Sequence, residues 1–428
     1  MLPNRLLTLC SASALLLGTL ACSGDLAAPL AHGQPERERV SVTNDANVLA
    51  VRLLERRRDL SLHTGDTISS MRLDAVAAPS NKMAFTEHAE VLPPMLETRS
   101  LQATHAAFAD GLAYVAYALA GDDAQGAVDV FDVRNPASPR LVSHATFRRT
   151  DIHTLAVSNG RLYLGTGSQD REQGENAVLE VITLRDGLLT SESVRVALPS
   201  QVVTGIAIAS GRLWVTTGTG GRREGGLTVL EEATLKLLLF DEFSDARAVA
   251  PNASSVMAVV RGTPGRVRLY DQSSMSLLRE FGVDGLSMAG GKASITSRGT
   301  WSFVGAADGG VQVLQLRQNG RVTGTVVGSV SRPEQSNLPK EYAVTNAVAY
   351  AGDFLIAANG GAGVWVTHTT DQTTAQTNRP QLTPMGRLGL PDGLSANFVA
   401  TNYPMLFVAA GNGGLRLIEM RMMASAAP

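Results

Sequence analysis

Seven side chains recur near one point of a long sequence period and could together hold a ligand: His105, His153, Thr204, Arg247, Lys292, Asn346 and Asn397. The set offers imidazoles, carboxamides, a hydroxyl and two cations. Such donors and charge capture an anionic or polyhydroxyl ligand, with Arg247 and Lys292 supplying the charge. The competing expectation is a wet channel whose polar groups bond to each other and to water. A metal centre would need the two histidines to converge beside carboxylates, and only Asp151 lies near them in sequence. No metal and no cofactor are therefore expected. Phosphate-binding Gly-rich loops, a GxSxG elbow and an HExxH pair are all missing from the chain. Binding without catalysis is the leading expectation. The alternative is a hydrolase, lyase or lactonase with His105 or His153 as general base.

Loops following these positions carry a second group of polar residues. Residues 120–126 hold Asp122 and Asp123, residues 167–176 hold Asp170, Glu172 and Glu175, and the next copy holds Arg222, Arg223 and Glu224. Their spacing matches no calcium loop. An acidic segment beside a basic one suits a polar protein or glycan partner.

The elements that must position these residues repeat from about Met83 onward. Each copy has an apolar strand, a tight turn, an alternating strand, a Gly-rich turn and a further strand. Examples are AAFADGLAYVAYA, TLAVSNGRLYLGT and IAIASGRLWVTTG. The turn glycines Gly111, Gly160, Gly211, Gly299 and Gly352 are separated by 49, 51, 88 and 53 residues, the 88 covering two copies. A period of about 40–50 residues with four strands per copy predicts a β-propeller, here with seven blades. The fold class is all-β, and the first strand of each copy should line the central channel. The alternation of the third strands predicts stacking against a neighbour on one side. The last copy supplies three strands only, while residues 83–91 resemble a lone outer strand with nothing before it. Pairing them would close the ring and leave no open edge.

Residues 126–139, GAVDVFDVRNPASP, resemble the LVIVD repeat of bacterial surface and secreted proteins, a hydrophobic strand ending in Asp before a turn with two prolines. The match is partial at Leu269-Tyr270-Asp271 and only strand-level elsewhere. The resemblance implies a propeller in an envelope protein and implies no known reaction.

Residues 1–21 read as a secretory signal, with one cation, Arg5, and then an apolar run too short to span a bilayer. Thr19-Leu20-Ala21-Cys22 resembles the bacterial lipobox, which implies acylation at Cys22 and a lipid anchor in the membrane. Ser23 after the cysteine implies the outer membrane. The chain has 2 Cys, and the other, Cys10, lies in the signal, so no disulfide is expected. Residues 22–82 read as a tether, with a short helix at residues 45–58 capped by Asn44. Arg56-Arg57-Arg58 would form either a patch facing anionic headgroups or a solvated face. Residues 83–423 form the propeller and 424–428 a tail. A chain trimmed to Asn81 is expected to keep its fold. Net charge is −2 with 18% charged residues, which points away from nucleic acid. A monomer with an envelope protein or glycan partner fits this composition.

Overall fold

The computed structural model describes residues 39–63 and 82–423, apart from 171–174, 219–223, 254, 289–290, 319–320, 336, 371–379 and 392. The expected signal, Cys22 and the expected tail lie outside the described residues.

Tight hairpins build every sheet. Asn159 and Gly160 both take positive φ, 49° and 69°, as a two-residue hairpin joining right-twisted strands requires. Asp110-Gly111 and Ser210-Gly211 repeat that pair of conformations in the neighbouring copies. The strands gather into seven sheets of four or five strands, and a separate small hairpin pairs Met95–Leu96 with Arg99–Ser100. Blades 1 to 7 begin with the innermost strands Gln102–Ala109, Thr150–Ser158, Val203–Ala209, Ala246–Asn252, Ser294–Arg298, Ala347–Ala351 and Phe398–Asn402. Each innermost strand touches those of the two neighbouring blades, and Phe398–Asn402 meets Gln102–Ala109 to complete the circle. The protein is a seven-bladed β-propeller.

Burial follows from this stacking. Seven apolar clusters occupy the seven blade interfaces, one each. In blade 1, Val128 and Val130 of the third strand pack toward blade 2, while Ala127 and Phe131 pack toward blade 7. The middle strands are therefore buried on both sides, not on one as their alternation suggested. Polar residues between the apolar ones are buried as well, among them Asp129, Glu180 and Arg416.

Closure involves the expected segment. Lys82–Val91 pairs antiparallel with Leu415–Met423 and completes blade 7. A further layer lies outside it. Leu53–Leu60 pairs with Lys82–Val91, Val40–Thr43 adds to the outer strand of blade 1, and Leu62–His63 adds to that of blade 6. Residues 39–63 thus form a strap over three adjacent blades. The helix expected at residues 45–58 is confined to Ala46–Ala50, and Asp45 caps it rather than Asn44. The remainder is strand because the free edge of Lys82–Val91 offers backbone partners, and edge pairing outweighs the weak helical periodicity.

Arginines fix the strap. Arg39 pairs with buried Glu180 of blade 2 at 2.6 Å, and Arg52 grips buried Asp129 of blade 1 at 2.7 and 2.9 Å. Arg58 meets Glu87 at 2.8 Å and Arg56 meets Glu90 at 3.0 Å, and each arginine keeps 45% of its side chain exposed. His144 also contacts Asp129 through Nδ1 at 2.7 Å. Burial opposes ionisation of Asp129, yet the Arg52 guanidinium and the His144 contact hold its carboxyl down to about 2.

Candidate functional site

The channel contains a cavity of about 260 Å³ lined by all seven innermost strands. Polar groups on its wall include His105, Thr154, Ser294, Thr296 and Tyr350, and apolar ones include Ile206, Val249, Val348 and Phe398. A larger hollow of about 470 Å³ lies among loops of blades 5 to 7, near Leu338, Leu390 and Leu394, away from the channel histidines.

A bulge sets which side chains enter the mouth. In blades 2, 3 and 4 the ladder skips one residue, leaving His153, Thr204 and Arg247 as the unpaired extra positions. In blade 1 the skipped residue is Thr104, not His105. The two histidines are therefore one step out of register, and a one-residue step changes the face a side chain occupies. Thr104 and Thr204 do equivalent work. Their hydroxyls donate across to the next blade, to the carbonyls of Ile152 at 2.7 Å and Ala246 at 2.8 Å.

Arg247 does not act as a free cation. It is buried and donates to Asp245 at 2.8 and 2.7 Å and to the Met288 carbonyl at 2.9 Å. Asp245 neutralises it, so the expected pair of cations reduces to Lys292. Asn397 is engaged too: its Oδ1 accepts from Ser395 at 2.9 Å, and its Nδ2 lies 3.4 Å from Gln102 Oε1. The Asn346 backbone N–H closes onto Ala358, and its side chain lies outside the cavity wall.

Of His105, His153 and Lys292, His105 alone lines the cavity. Lys292 precedes the cavity residues Ala293 and Ser294 of blade 5, and its charge is felt by both histidines in blades 1 and 2. Lys292 keeps an exposed surface, although the protein packed around it pushes its ammonium below the usual value. No ion pair engages it among the described residues. Burial, and then the Lys292 charge, lowers His105 to about 4 and His153 to about 4. Both imidazoles are neutral at physiological pH. His105 packs on Phe398 with ring centroids 4.6 Å apart, and its Nδ1 is buried without a hydrogen-bond partner.

Asp151 sits beside this group in sequence but faces the blade 1 loop. Its Oδ1 accepts from the backbone N–H groups of Leu119 at 3.1 Å and Gln125 at 3.0 Å. Burial still raises it to about 6 against those two bonds. Among the described residues no three His, Cys, Asp or Glu side chains gather as a metal centre would require. The acidic loops are partly tied down: Asp123 pairs with Arg99 at 2.7 Å and Asp170 with Arg195 at 3.2 Å. Glu172, Arg222 and Arg223 fall outside the described residues. The cavity residues Thr154, Ser294, Thr296 and Phe398 were not expected from sequence. Their signal is their place on the innermost strands, and the bulges blur the two-residue alternation that would have selected them.

A seven-bladed propeller with a cavity in its central channel is the class that this architecture defines. No protein-family profile matches the chain, and no curated protein matches it. Solved structures do. The structure of U3-55K superposes with a TM-score of 0.50 at 14% identity, covering 74% of this chain and 95% of that one. The computationally designed Ika8 protein aligns with a TM-score of 0.41 at 14% identity, covering 77% of this chain and 99% of that one. The likeness to U3-55K concerns the fold alone.

Proposed function

We propose that the protein is an exported, lipid-anchored envelope protein whose propeller binds a ligand or partner at its channel without chemically changing it. The observation that carries the binding half is the channel cavity, on whose wall His105 has a buried Nδ1 without a hydrogen-bond partner. A polar group that the fold leaves without a partner is one that a bound molecule can satisfy. None of the residues lining the cavity is Asp or Glu, which favours binding over general-base chemistry on His105. The envelope half is supported by the apolar leader, by Cys22 in its lipobox-like setting and by the LVIVD-like segment at residues 126–139. An outer-membrane destination follows from Ser23 in the same way.

Two measurements test the proposal. Cys22→Ser is expected to move the protein from the membrane fraction to the soluble envelope fraction. Persistence of that variant in membranes after a high-salt wash would count against the anchor. A photo-crosslinking residue at Thr296, inside the channel, should capture material from envelope extract, whereas one at the rim residue Leu278 should not. Capture at Leu278 alone would move the binding surface to the outside of the ring.

A further inference from the structure

We infer that the channel cavity takes a small uncharged polyol, no larger than one sugar ring, whose hydroxyls bond to the open inner-strand edges and to the His105 imidazole. The inference rests on the proposal that the channel is a binding site, and it specifies the class of ligand.

Charge sets the first limit. No Asp, Glu, Lys or Arg lines the cavity, so neither Arg247 nor Lys292 belongs to its wall. His105 does, and burial above all keeps its imidazole neutral at physiological pH. A charged ligand would give up water in this cavity with no opposite charge on the wall to replace it.

Hydrogen bonding sets the second limit. Each innermost strand stands at the end of its sheet, so one of its edges has no strand partner. These edges face the channel and present backbone N–H and C=O groups together. Three hydroxyls on the wall already serve the backbone of a neighbouring blade. Thr204 donates to the Ala246 carbonyl, Ser294 accepts from the Val348 N–H and Thr401 donates to the Tyr350 carbonyl, each at 2.8 Å. No hydrogen bond among the described residues engages the His105 ring or the hydroxyls of Thr154 and Thr296, all of which line the cavity. A neutral imidazole has one N–H and one bare nitrogen, and a hydroxyl both donates and accepts, so it suits either. Several hydroxyls on one ring suit a wall that mixes both kinds of backbone group.

Shape sets the third limit. A volume of about 260 Å³ holds about nine waters at liquid density, which is below the range of drug-sized pockets. It admits one small ring and not two. The Phe398 ring, packed on His105 with centroids 4.6 Å apart, puts an aromatic surface on the wall beside the imidazole. Val249 and Val348 add aliphatic surface. The C–H face of a cyclic polyol covers such groups while its hydroxyls meet the backbone, whereas water alone leaves them wet.

The experiment uses the soluble Cys22→Ser chain with glucose, its charged counterparts glucuronate and glucosamine, myo-inositol, cyclohexanol and inorganic phosphate. Binding is read by calorimetry and by saturation-transfer NMR. Glucose or myo-inositol should bind, with the charged sugars and cyclohexanol weaker by roughly tenfold or more. Thr296→Phe, which fills the cavity, should abolish binding, and His105→Phe should weaken it several-fold, both with unchanged circular dichroism. Equal binding of glucose and its charged counterparts, or unchanged binding in Thr296→Phe, overturns the polyol assignment. Equal or tighter binding of cyclohexanol or phosphate overturns it as well. If none of these compounds binds while the crosslinker at Thr296 still captures material, the polyol assignment falls and the channel stands as a site. If Thr296 captures nothing either, the channel proposal falls with it.

Discussion

Replacing Arg247 by Gln removes the donor from a pair whose arginine is 3% exposed and whose aspartate is 15% exposed. Leaving Asp245 ionised and poorly solvated costs about 3 kcal/mol, so chemical denaturation should report a clear loss. Lys292→Gln should instead be near neutral, because the side chain is exposed and has no ion-pair partner among the described residues. A comparable loss in both variants would show that Lys292 has a structural partner. The histidines add a dependence on pH. Burial and Lys292 lower both from near 6.5 to about 4. Between those values the unfolded chain takes up protons that the folded one refuses, so stability falls as pH falls from about 6.5 to 4. The His105→Gln, His153→Gln double variant should show a shallower loss of melting temperature over that window. An unchanged slope would place both imidazoles in freer contact with solvent.

At the level of elements the strap alters an expectation. Trimming the chain to Asn81 removes the arginines that meet Glu180, Asp129 and Glu87, whose side chains are at most 1% exposed. Each carboxylate keeps a lesser partner: Arg195 at 3.8 Å, His144 at 2.7 Å and Arg416 at 3.3 Å respectively. The trimmed chain should therefore fold but melt well below the full mature chain. Trimming through Val91 should also expose the long edge of Leu415–Met423 and abolish the cooperative transition. Equal melting of the mature chain and the Asn81 truncation would mean that the strap adds nothing. Acid should loosen the strap as well. Asp129 is depressed from near 3.8 to about 2, so its contribution is full above the first value and lost as pH falls through the second.

Across the whole molecule, the ring was legible because each hairpin needs a turn that few residues can make. Gly111, Gly160, Gly211, Gly299 and Gly352 all adopt positive φ and mark the period directly. The closing strand was legible for a related reason, since a final copy with three strands requires a fourth from elsewhere. The strap was not legible. Arg39 meets Glu180 across 141 residues and Arg52 meets Asp129 across 77, and no local pattern encodes such partners. At the channel, repeat alignment brought out the cavity-lining His105 and Thr204 but missed the Arg247–Asp245 pair and the bulge that shifts His105. Both depend on how the inner strands enter the ring rather than on which residues recur. The strap and closing strand also bear on the order of events during synthesis. Leu53–Leu60, Lys82–Val91 and Leu62–His63 appear early, yet they complete blades 7 and 6, whose remaining strands are made last. Contacts of such long sequence separation form slowly. Until the C-terminal strands arrive, a nascent chain carries unpaired N-terminal strands prone to joining the wrong edge. Folding only once the chain is complete would spare it that hazard, so its topology favours closure of the ring after synthesis has ended.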